Sequence, residues 1–291
     1  SRKELLLLIH CLQSAAKVNI TLRVTRKRDD GYHELRSLFY ALPAIESLTI
    51  EPDYGHNVKD IISVTGEMIR GRNILEEVLS AARKKRGVDP LRIRLHKVIP
   101  PGSGLGGGSG NAAALISWLN SQREENEGIR GEEIGSDVPF FLNAEKWAFV
   151  GGRGERVEPL SGIMPPFHAV VVIPSWSMST ARAFSLLTAE YGGFFPMNEE
   201  EAEDERNGIL SKLHDKTFCG LLPNDFCTVL LKEHPEYADV FSAFRESGSL
   251  GWGITGSGSS AFGLFHQNDG FSRMIRSCRH MQWIRKILFV E

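Results

Sequence analysis

A glycine-rich run is the clearest chemical feature of this sequence. Six glycines fall within residues 102–110, which follow an alternating apolar and charged segment and precede a segment with helical periodicity. Glycine loses much conformational entropy on folding, but it lets a backbone approach a ligand closely. Backbone N–H groups at the start of a helix bind anions, and the helix dipole adds to the attraction. The run therefore predicts a phosphate-binding loop, in which Ser109 offers a hydroxyl to a phosphate or a metal ion.

The surroundings of the run narrow the type of phosphate loop. Gly102, Gly104 and Gly107 satisfy the spacing of a dinucleotide fingerprint. However, the preceding segment alternates with charges, whereas a parallel core strand is usually apolar throughout, and the acidic residues 124–127 follow no strand. A Walker loop is excluded because no Gly-Lys-Ser/Thr follows, and the protein-kinase motifs are missing from the sequence. A nicotinamide oxidoreductase is therefore disfavoured. The interpretation of the run as a flexible linker is disfavoured as well, because a linker would not normally join a strand to an amphipathic helix.

Two charged residues far apart in the chain are candidates for proton transfer and charge stabilisation. Phosphoryl transfer to an alcohol needs a group that removes the hydroxyl proton and positive charge near the transferring phosphate. Residues 17–25 alternate in polarity, so Lys17 and Asn19 lie on one face of a predicted half-buried strand. On residue type alone, Lys17 is more often an exposed lysine, and Asp137 is more often a helix-start residue beside Pro139.

The elements that must position these residues are a mixture of strands and helices. Strands are predicted over residues 18–24, 47–51, 91–95, 168–173 and 283–290, with strand pairs over 147–157 and 253–265. Helices are predicted over residues 73–82, with Asn73 as cap, and over 112–119, 181–191, 225–231, 237–246 and 271–280. The acidic run 199–206 is interpreted as a solvated helix face or loop. Strands and helices without strict βαβ repetition indicate the α+β class.

Four blocks resemble the GHMP kinase superfamily in order and spacing. Residues 101–113, Pro-Gly-Ser-Gly-Leu-Gly-Gly-Gly-Ser-Gly-Asn-Ala-Ala, resemble its ATP loop, and their triple glycine resembles the branch that acts on a diphosphocytidyl-methylerythritol. Ala-Lys-Val-Asn at 16–19, followed by Asp-Gly-Tyr-His-Glu-Leu at 30–35, resembles the N-terminal signature of that branch. Gly-Ser-Asp-Val-Pro-Phe-Phe at 135–141 resembles its catalytic-aspartate segment, and Thr-Gly-Ser-Gly at 255–258 resembles a second glycine loop of the superfamily. Together the blocks span nearly the whole chain.

The resemblance implies a fold and an activity. The fold is the α+β, two-domain GHMP kinase fold, with a ribosomal protein S5 domain 2-like N-terminal domain over residues 1–162 and a ferredoxin-like C-terminal domain over residues 163–291. The activity is ATP-dependent phosphorylation of the 2-hydroxyl of 4-diphosphocytidyl-2-C-methyl-D-erythritol in non-mevalonate isoprenoid synthesis. ATP is expected to enter with Mg²⁺, and the transfer is expected to be direct, without a phosphoenzyme.

The resemblance also implies roles for single residues. Lys17 and Asp137 are the expected catalytic residues, with Asp137 as the base and Lys17 beside it. The residues expected to bind ATP are Asn73, Lys97, Pro101, Gly102, Ser103, Gly104, Leu105, Gly106, Gly107, Gly108, Ser109 and Gly110. Those expected to bind the alcohol substrate are Asn19, Tyr32, His33, Asp137, Thr180, Phe184 and Gly256. Among these, His33 is expected to hydrogen-bond cytosine, with Tyr32 and Phe184 packed around the base. The metal ligands are left unassigned.

Three features depart from the family pattern. Gly110 stands where the family usually has a second serine, which removes a hydroxyl near the phosphates. The segment between Asn120 and Gly135 is shorter than that of the family. Ser179 and Ala181 stand where the family favours proline, so the loop that carries Phe184 is expected to be less rigid.

Composition limits the partners. A length of 291 residues favours two domains over one, and a net charge of −2 without a basic stripe argues against nucleic acid or an anionic membrane as partner. The four cysteines are widely spaced, which favours reduced thiols in a cytoplasm over disulfides or a zinc site. Residues 5–9 are interpreted as a strand rather than a secretion signal, because Glu4 and His10 interrupt the apolar pattern. We expect a cytoplasmic monomer or homodimer that acts on a small molecule.

Two other functions stay open. One is a sibling GHMP kinase that acts on homoserine, mevalonate or a sugar. That alternative does not explain the block at residues 30–35 and its aromatic partners. The other is a non-catalytic nucleotide-binding protein on the same fold. The presence of both Lys17 and Asp137 speaks against that second alternative.

Overall fold

The structure, a computed structural model, describes residues 9–52, 59–85, 87–122, 128–162, 164–267 and 270–291. Strands and helices are mixed within these residues, and the predicted α+β class is confirmed. The strand predicted over residues 5–9 lies outside the described residues except for Ile9. Residues 123–127 of the polar segment before Gly135 lie outside them as well.

The strands carry most of the residues that the sequence singles out. They are β1 (His10–Lys27), β2 (His33–Pro52), β3 (Ile61–Gly66), β4 (Leu91–Lys97), β5 (Trp147–Gly152), β6 (Arg156–Pro159), β7 (His168–Pro174), β8 (Gly220–Leu221), β9 (Gly251–Ile254), β10 (Ala261–Phe265) and β11 (Ile284–Val290). β1 pairs with β2. The β3 strand was not predicted from the sequence.

The helices agree closely with those that the periodicity predicts. They are α1 (Ile74–Lys85), α2 (Gly107–Ser121), α3 (Val138–Leu142), α4 (Thr180–Tyr191), α5 (Glu199–His214), α6 (Asp225–Glu233), α7 (Tyr237–Glu246) and α8 (Phe271–Cys278), with a 3₁₀ turn at Gly131–Glu133. Across the described parts of the chain, no helix has the length and apolar character needed to cross a membrane.

The chain divides into two compact units that do not follow a single cut in the sequence. The first unit contains Ser1–Ala16, Pro43–Pro101 and Gly106–Ala144. The second contains Lys17–Leu42, Gly102–Leu105 and Glu145–Glu291. The glycine run therefore belongs to both units, with its chain passing from one to the other after Leu105. The predicted domain boundary after residue 162 stays a prediction.

The first unit packs α1 and α2 on strands β2, β3 and β4. β3 is parallel to β4, and β4 is antiparallel to residues 47–52 of β2. The side-chain oxygen of Asn73 accepts a hydrogen bond from Leu75 N over 3.1 Å, so the predicted cap of α1 is confirmed. One core cluster joins these elements and includes Leu48, Ile50, Leu75, Val78, Ile93, Leu95, Leu115 and Leu119.

The second unit contains a five-stranded sheet in the order β11-β7-β10-β9-β8. β7 pairs antiparallel with β10 and with β11, β10 pairs with β9, and β8 runs parallel to β9. Residues 35–40 of β2 pair with β5, which forms the predicted hairpin with β6. Apolar residues from β7, α4, α6 and α7 form the core, among them Val170, Val172, Leu187, Phe226, Leu230, Val240 and Phe244.

The prediction that β1 is half-buried is wrong. Every residue from 16 to 22 is buried, so the polar face of the strand is covered as well as the apolar face. Polar side chains are tolerated there because they bond to one another and to backbone groups. Thr21, for example, accepts a hydrogen bond from Leu38 N through its hydroxyl over 3.1 Å.

The acidic run is not merely a solvated face. Its residues form the first half of α5, and their carboxylates bind arginines of β1 and β2. Glu205 accepts two hydrogen bonds from Arg23 at 2.7 Å each, and Glu203 accepts one from Arg36 at 2.9 Å. The sequence interpretation was wrong because the complementary charges lie more than 160 positions away in the chain.

Candidate functional site

The first turn of α2 has the properties of an anion site. The residue before the helix, Gly106, has φ of 66°, a left-handed conformation that favours glycine, and it supplies no side-chain cap to the described first turn. The amide groups of that turn are thus left for a ligand, with the positive end of the helix dipole behind them. The predicted helix after the glycine run is confirmed, with Ala112, Leu115 and Leu119 buried on its inner side.

Close packing explains two glycines of the run. A Cβ on Gly110 would lie 2.0 Å from the Ala15 carbonyl oxygen, so no larger residue fits without moving the N-terminal part of β1. This accounts for the missing second serine of the family pattern. A Cβ on Gly107 would lie 3.0 Å from Lys97 Nζ. Gly108 differs from both, because the nearest atom to its Cβ position is an Ile74 methyl carbon at 4.0 Å.

Two predicted nucleotide contacts lie in the first unit beside α2. Lys97 is buried and donates to both carboxylate oxygens of Glu46, at 2.9 and 2.8 Å. Burial lowers the pKa of Lys97, while the charges of Glu46 and Glu67 act in the opposite direction. Asn73 is 7% exposed, and its Nδ2 has no hydrogen-bond partner among the described residues. A buried amide donor without a partner is the kind of group that a bound ligand satisfies.

Asp137 lies at the start of α3, as its residue type alone suggests. It occupies the N-cap position, yet its side chain makes no capping hydrogen bond, and Pro139 lies in the first turn. The same segment approaches α2, because a Cβ on Gly135 would lie 3.9 Å from Ser109 Oγ. The first unit therefore places the segment that carries Asp137 next to the serine of the glycine run.

The second unit gathers three of the four sequence blocks around Lys17. The ammonium group of Lys17 donates to Asn19 Oδ1 over 2.7 Å and to the Gly104 carbonyl over 3.0 Å. The Thr255 hydroxyl lies 3.1 Å from Asn19 Oδ1 and 3.2 Å from the Gly104 carbonyl. A Cβ on Gly256 would lie 3.5 Å from Lys17 Nζ. The predicted pairing of Lys17 and Asn19 on one strand face is confirmed, although that face is buried.

The remaining residues of the glycine run connect it to the second unit. Backbone carbonyls of Gly102 and Ser103 accept hydrogen bonds from Met178 N and Ser260 N, at 3.4 and 3.0 Å. Gly104 has φ of 79°, and a Cβ there would lie 2.3 Å from the Thr255 carbonyl oxygen. Leu105 is fully buried and Pro101 is exposed at the turn.

The predicted base-binding aromatics form a cluster in the second unit. The rings of His33 and Phe184 stack with centroids 4.2 Å apart and an interplanar angle of 12°. Phe195 meets His33 edge-on at 5.8 Å. Burial, aided by the charge of Lys27, lowers the pKa of His33. The predicted juxtaposition of His33 and Phe184 is thus present, and Phe195 is a member of the cluster that the sequence did not single out.

Tyr32 and Thr180 flank this cluster. Tyr32 is 54% exposed, and the guanidinium of Arg153 lies 4.4 Å from its ring centroid. Thr180 opens α4, and its hydroxyl lies 3.2 Å from the Ser257 hydroxyl of the second glycine loop. Arg153, like Phe195, was missed, because an arginine in a glycine turn carries no recognisable signal in a single sequence.

The oxygen donors of the first unit fit a magnesium ion that arrives with a nucleotide. Mg²⁺ is usually held by one or two carboxylates together with substrate phosphates. The Ser109 hydroxyl and the Asp137 carboxylate are of the right type, and the part of the chain that is described holds no cluster of three or more His, Cys, Asp or Glu.

Comparisons with known proteins agree with this geometry. The family described as GHMP kinases N terminal domain matches residues 73–143, and that described as GHMP kinases C terminal matches residues 215–280. The chain is 32% identical over 260 residues to a 4-diphosphocytidyl-2-C-methyl-D-erythritol kinase of Chlorobium luteolum, covering 86% of each chain. It superposes on a crystal structure of 4-(cytidine 5'-diphospho)-2C-methyl-D-erythritol kinase with a TM-score of 0.76 and 30% identity, covering 97% of this chain and 98% of that one. A homoserine kinase of Cytophaga hutchinsonii shares the fold at 14% identity, with a TM-score of 0.63 and coverage of 98% of this chain and 95% of the other. The predicted GHMP kinase fold is confirmed.

Proposed function

The chain belongs to the 4-diphosphocytidyl-2-C-methyl-D-erythritol kinase family of the GHMP kinases, and from this premise we propose that it transfers the γ-phosphoryl group of ATP to the 2-hydroxyl of that diphosphocytidyl alcohol. The observation that carries the proposal is the placement of Lys17 in the second unit. Its ammonium group bonds at once to Asn19 and to the backbone of the glycine run. A lysine held in this way offers fixed positive charge beside a loop suited to phosphates, which is the main requirement of phosphoryl transfer.

Asp137 is the proposed base. In the transfer, the hydroxyl oxygen of the alcohol forms a bond to the γ-phosphorus as the bond from that phosphorus to the bridging oxygen of ADP breaks. The hydroxyl proton passes to the Asp137 carboxylate, and Lys17 stabilises the charge that develops on the reacting oxygens. Mg²⁺ bound to the nucleotide would supply further charge neutralisation, with the Ser109 hydroxyl as a side-chain oxygen suited to hold it.

The nucleotide is proposed to bind at the first turn of α2. Its phosphates would take the open amide groups of that turn, where Gly108 leaves space for close approach. The buried Nδ2 of Asn73 would donate to the adenine, which gives that amide the partner that the described residues do not supply. Both contacts stay proposals.

The cytidine moiety is proposed to bind at the aromatic cluster of the second unit. His33 would supply ring nitrogens for hydrogen bonds to the pyrimidine edge, and its lowered pKa favours the neutral form, which can both donate and accept. Tyr32 and Phe184 would pack around the base, each through the side of its ring that Arg153 or His33 does not cover. The predicted cytoplasmic location and the monomeric or homodimeric state stay predictions.

A sibling kinase activity is the second candidate, because a homoserine kinase shares the fold. The decisive experiment measures ADP release from ATP and Mg²⁺ with three acceptors in parallel: the diphosphocytidyl alcohol, homoserine and mevalonate. We expect turnover with the first acceptor alone. Turnover only with homoserine or mevalonate would overturn the substrate assignment, and ATP binding without turnover of any acceptor would favour a non-catalytic nucleotide-binding protein.

A further inference from the structure

A buried carboxylate that belongs to no sequence block lies beneath the start of α2 in the first unit. The Glu46 side chain is fully buried in β2. It accepts hydrogen bonds from Lys97 Nζ at 2.9 and 2.8 Å, from Val98 N at 2.9 Å, from Ile99 N at 2.7 Å and from Asn111 Nδ2 at 2.8 Å. One carboxylate thus joins the chain that leads into the glycine run with the helix that leaves it.

The partners of Glu46 contact the anion site on two sides. Lys97 Nζ lies 3.0 Å from the position of a Cβ on Gly107, the first residue of α2. The Asn111 amide also donates to Ser14 Oγ over 2.9 Å, which fixes the second turn of the helix to β1. The network therefore contacts α2 both at its first residue and at its second turn.

Glu46 is the carboxylate bonded directly to Lys97, and the charge of Glu67 acts on Lys97 in the same direction. A cation near the N-terminus of a helix is opposed by the helix dipole, and a cation in a buried position is opposed by the loss of its hydration. The Glu46 carboxylate offsets both effects for Lys97 at direct hydrogen-bonding distance. Removal of that carboxylate would leave a buried ammonium group facing Gly107, and the ammonium group would move, lose its proton or take another partner.

We propose that Glu46 is a positioning residue of the ATP site, which holds Lys97 and the first turn of α2 in the arrangement that binds the nucleotide phosphates. The inference rests on the proposed use of ATP, and it adds a residue that contacts neither substrate. A purely structural role for Glu46 predicts a loss of stability alone. A positioning role predicts weaker ATP binding than in another variant with an equal or larger loss of stability.

The test compares Glu46→Gln with Glu51→Gln in the same strand. Glu51 bonds to Arg94 at the surface over 2.9 Å, so its replacement removes a carboxylate of β2 without touching the network. We expect Glu46→Gln to raise the Kd of a non-hydrolysable ATP analogue and the KM for ATP by at least about tenfold, the change that loss of one charge-assisted hydrogen bond corresponds to. The KM for the alcohol is expected to stay unchanged, and Glu51→Gln is expected to leave all three values unchanged.

A destabilised control in the same strand separates positioning from stability. Ile50→Ala leaves a cavity in the core of the first unit without touching the network, so we expect it to lower the Tm at least as far as Glu46→Gln does. Under the proposal the ATP affinity of Ile50→Ala, measured well below its Tm, stays normal, whereas that of Glu46→Gln is low. A loss of ATP affinity that follows the loss of Tm in both variants, or equal ATP affinity of Glu46→Gln and Glu51→Gln, would overturn the proposal. If the natural chain itself binds no ATP, the proposed function fails instead, which titration calorimetry on that chain shows independently.

Discussion

Lys17 Nζ donates to Asn19 Oδ1 over 2.7 Å, so two residues two positions apart on β1 share one buried polar contact. The second acceptor of Lys17 is a backbone carbonyl, that of Gly104. Neither of these two acceptors carries a charge. The two bonds therefore hold the ammonium group in one orientation, as a group that stabilises developing negative charge requires.

Replacement of Lys17 by methionine keeps the length of the side chain and removes its charge. We expect kcat to fall by about 10²–10³, the range seen when one preorganised donor to a transition state is lost. ADP release under saturating substrates measures the effect. Lys146→Met, at an exposed lysine, is the matched control and is expected to keep normal turnover. Normal turnover of Lys17→Met would remove Lys17 from the catalytic residues.

Replacement of Asp137 by asparagine removes the proposed base while keeping its shape. We expect kcat to fall by at least about 100-fold, the lower end for loss of a general base. The Kd for ATP should change little, because the amides of α2 and the Glu46 network are untouched. Single-turnover measurements and titration of an ATP analogue give the two values. A variant with near-normal turnover would show that the proton leaves by another route.

The effect of alanine substitution on the Tm should depend on the space around each glycine of the run. Gly110→Ala forces a methyl group onto the Ala15 carbonyl oxygen at 2.0 Å, so we expect the Tm to fall by about 5 °C or more. Gly108→Ala meets nothing closer than 4.0 Å and should leave the Tm unchanged. Under the proposed function the latter variant still weakens ATP binding, because its methyl group lies where phosphates approach. Thermal unfolding with and without ATP separates the two effects, and equal Tm losses would contradict the packing argument.

Phe195 and Phe194 offer a test of the aromatic cluster with a neighbouring control. Phe195 contacts the ring of His33, whereas Phe194 is 83% exposed. We expect Phe195→Leu to raise the KM for the diphosphocytidyl alcohol by about threefold to tenfold, which corresponds to the free energy of one aromatic pair. The KM for ATP should stay unchanged. Phe194→Leu should alter neither value. Equal effects of the two substitutions would exclude a specific role for Phe195.

The ion pairs around Glu34 predict a stability effect in acid. Burial opposes the charged form of Glu34, but hydrogen bonding from Arg36, the charge of Arg156 and the Gly152 amide outweigh it, so the pKa of Glu34 lies below its ordinary 4.5. A lowered pKa means stability that is present above 4.5 and lost as the pH falls through the folded-state value. We expect Glu34→Gln to lower the Tm by at least about 4 °C at pH 7. The difference from the natural chain should shrink below pH 4.5, and a difference that is constant down to pH 3 would contradict the assignment.

Much of the fold could be predicted from the sequence, because the local polarity patterns agree with the burial seen in the structure. Asn73 caps α1 as predicted, and the glycine run joins a strand to a helix whose inner side has the expected spacing. The pairing of Lys17 with Asn19 followed from the two-residue period of a strand. Each of these features depends on residues close together in the chain.

The features that escaped prediction depend on distant partners. Glu46 shares its strand face with Leu48 and Ile50, both fully buried, so a charged residue at an inward position was the available signal. Its partners, however, lie at positions 97 to 111, and only the folded chain brings them together. The acidic face of α5 was misjudged for the same reason, since its arginine partners come from β1 and β2.

The contact between Gly110 and Ala15 also constrains how this chain can change in evolution. A serine could occupy position 110 only after the backbone at position 15 had moved, because its Cβ and the Ala15 carbonyl oxygen cannot occupy the same space. The order of substitutions therefore matters, and a change in the first strand must come before a hydroxyl is introduced at position 110. Libraries that vary the two segments together would reach sequences that stepwise mutation of the glycine run alone cannot.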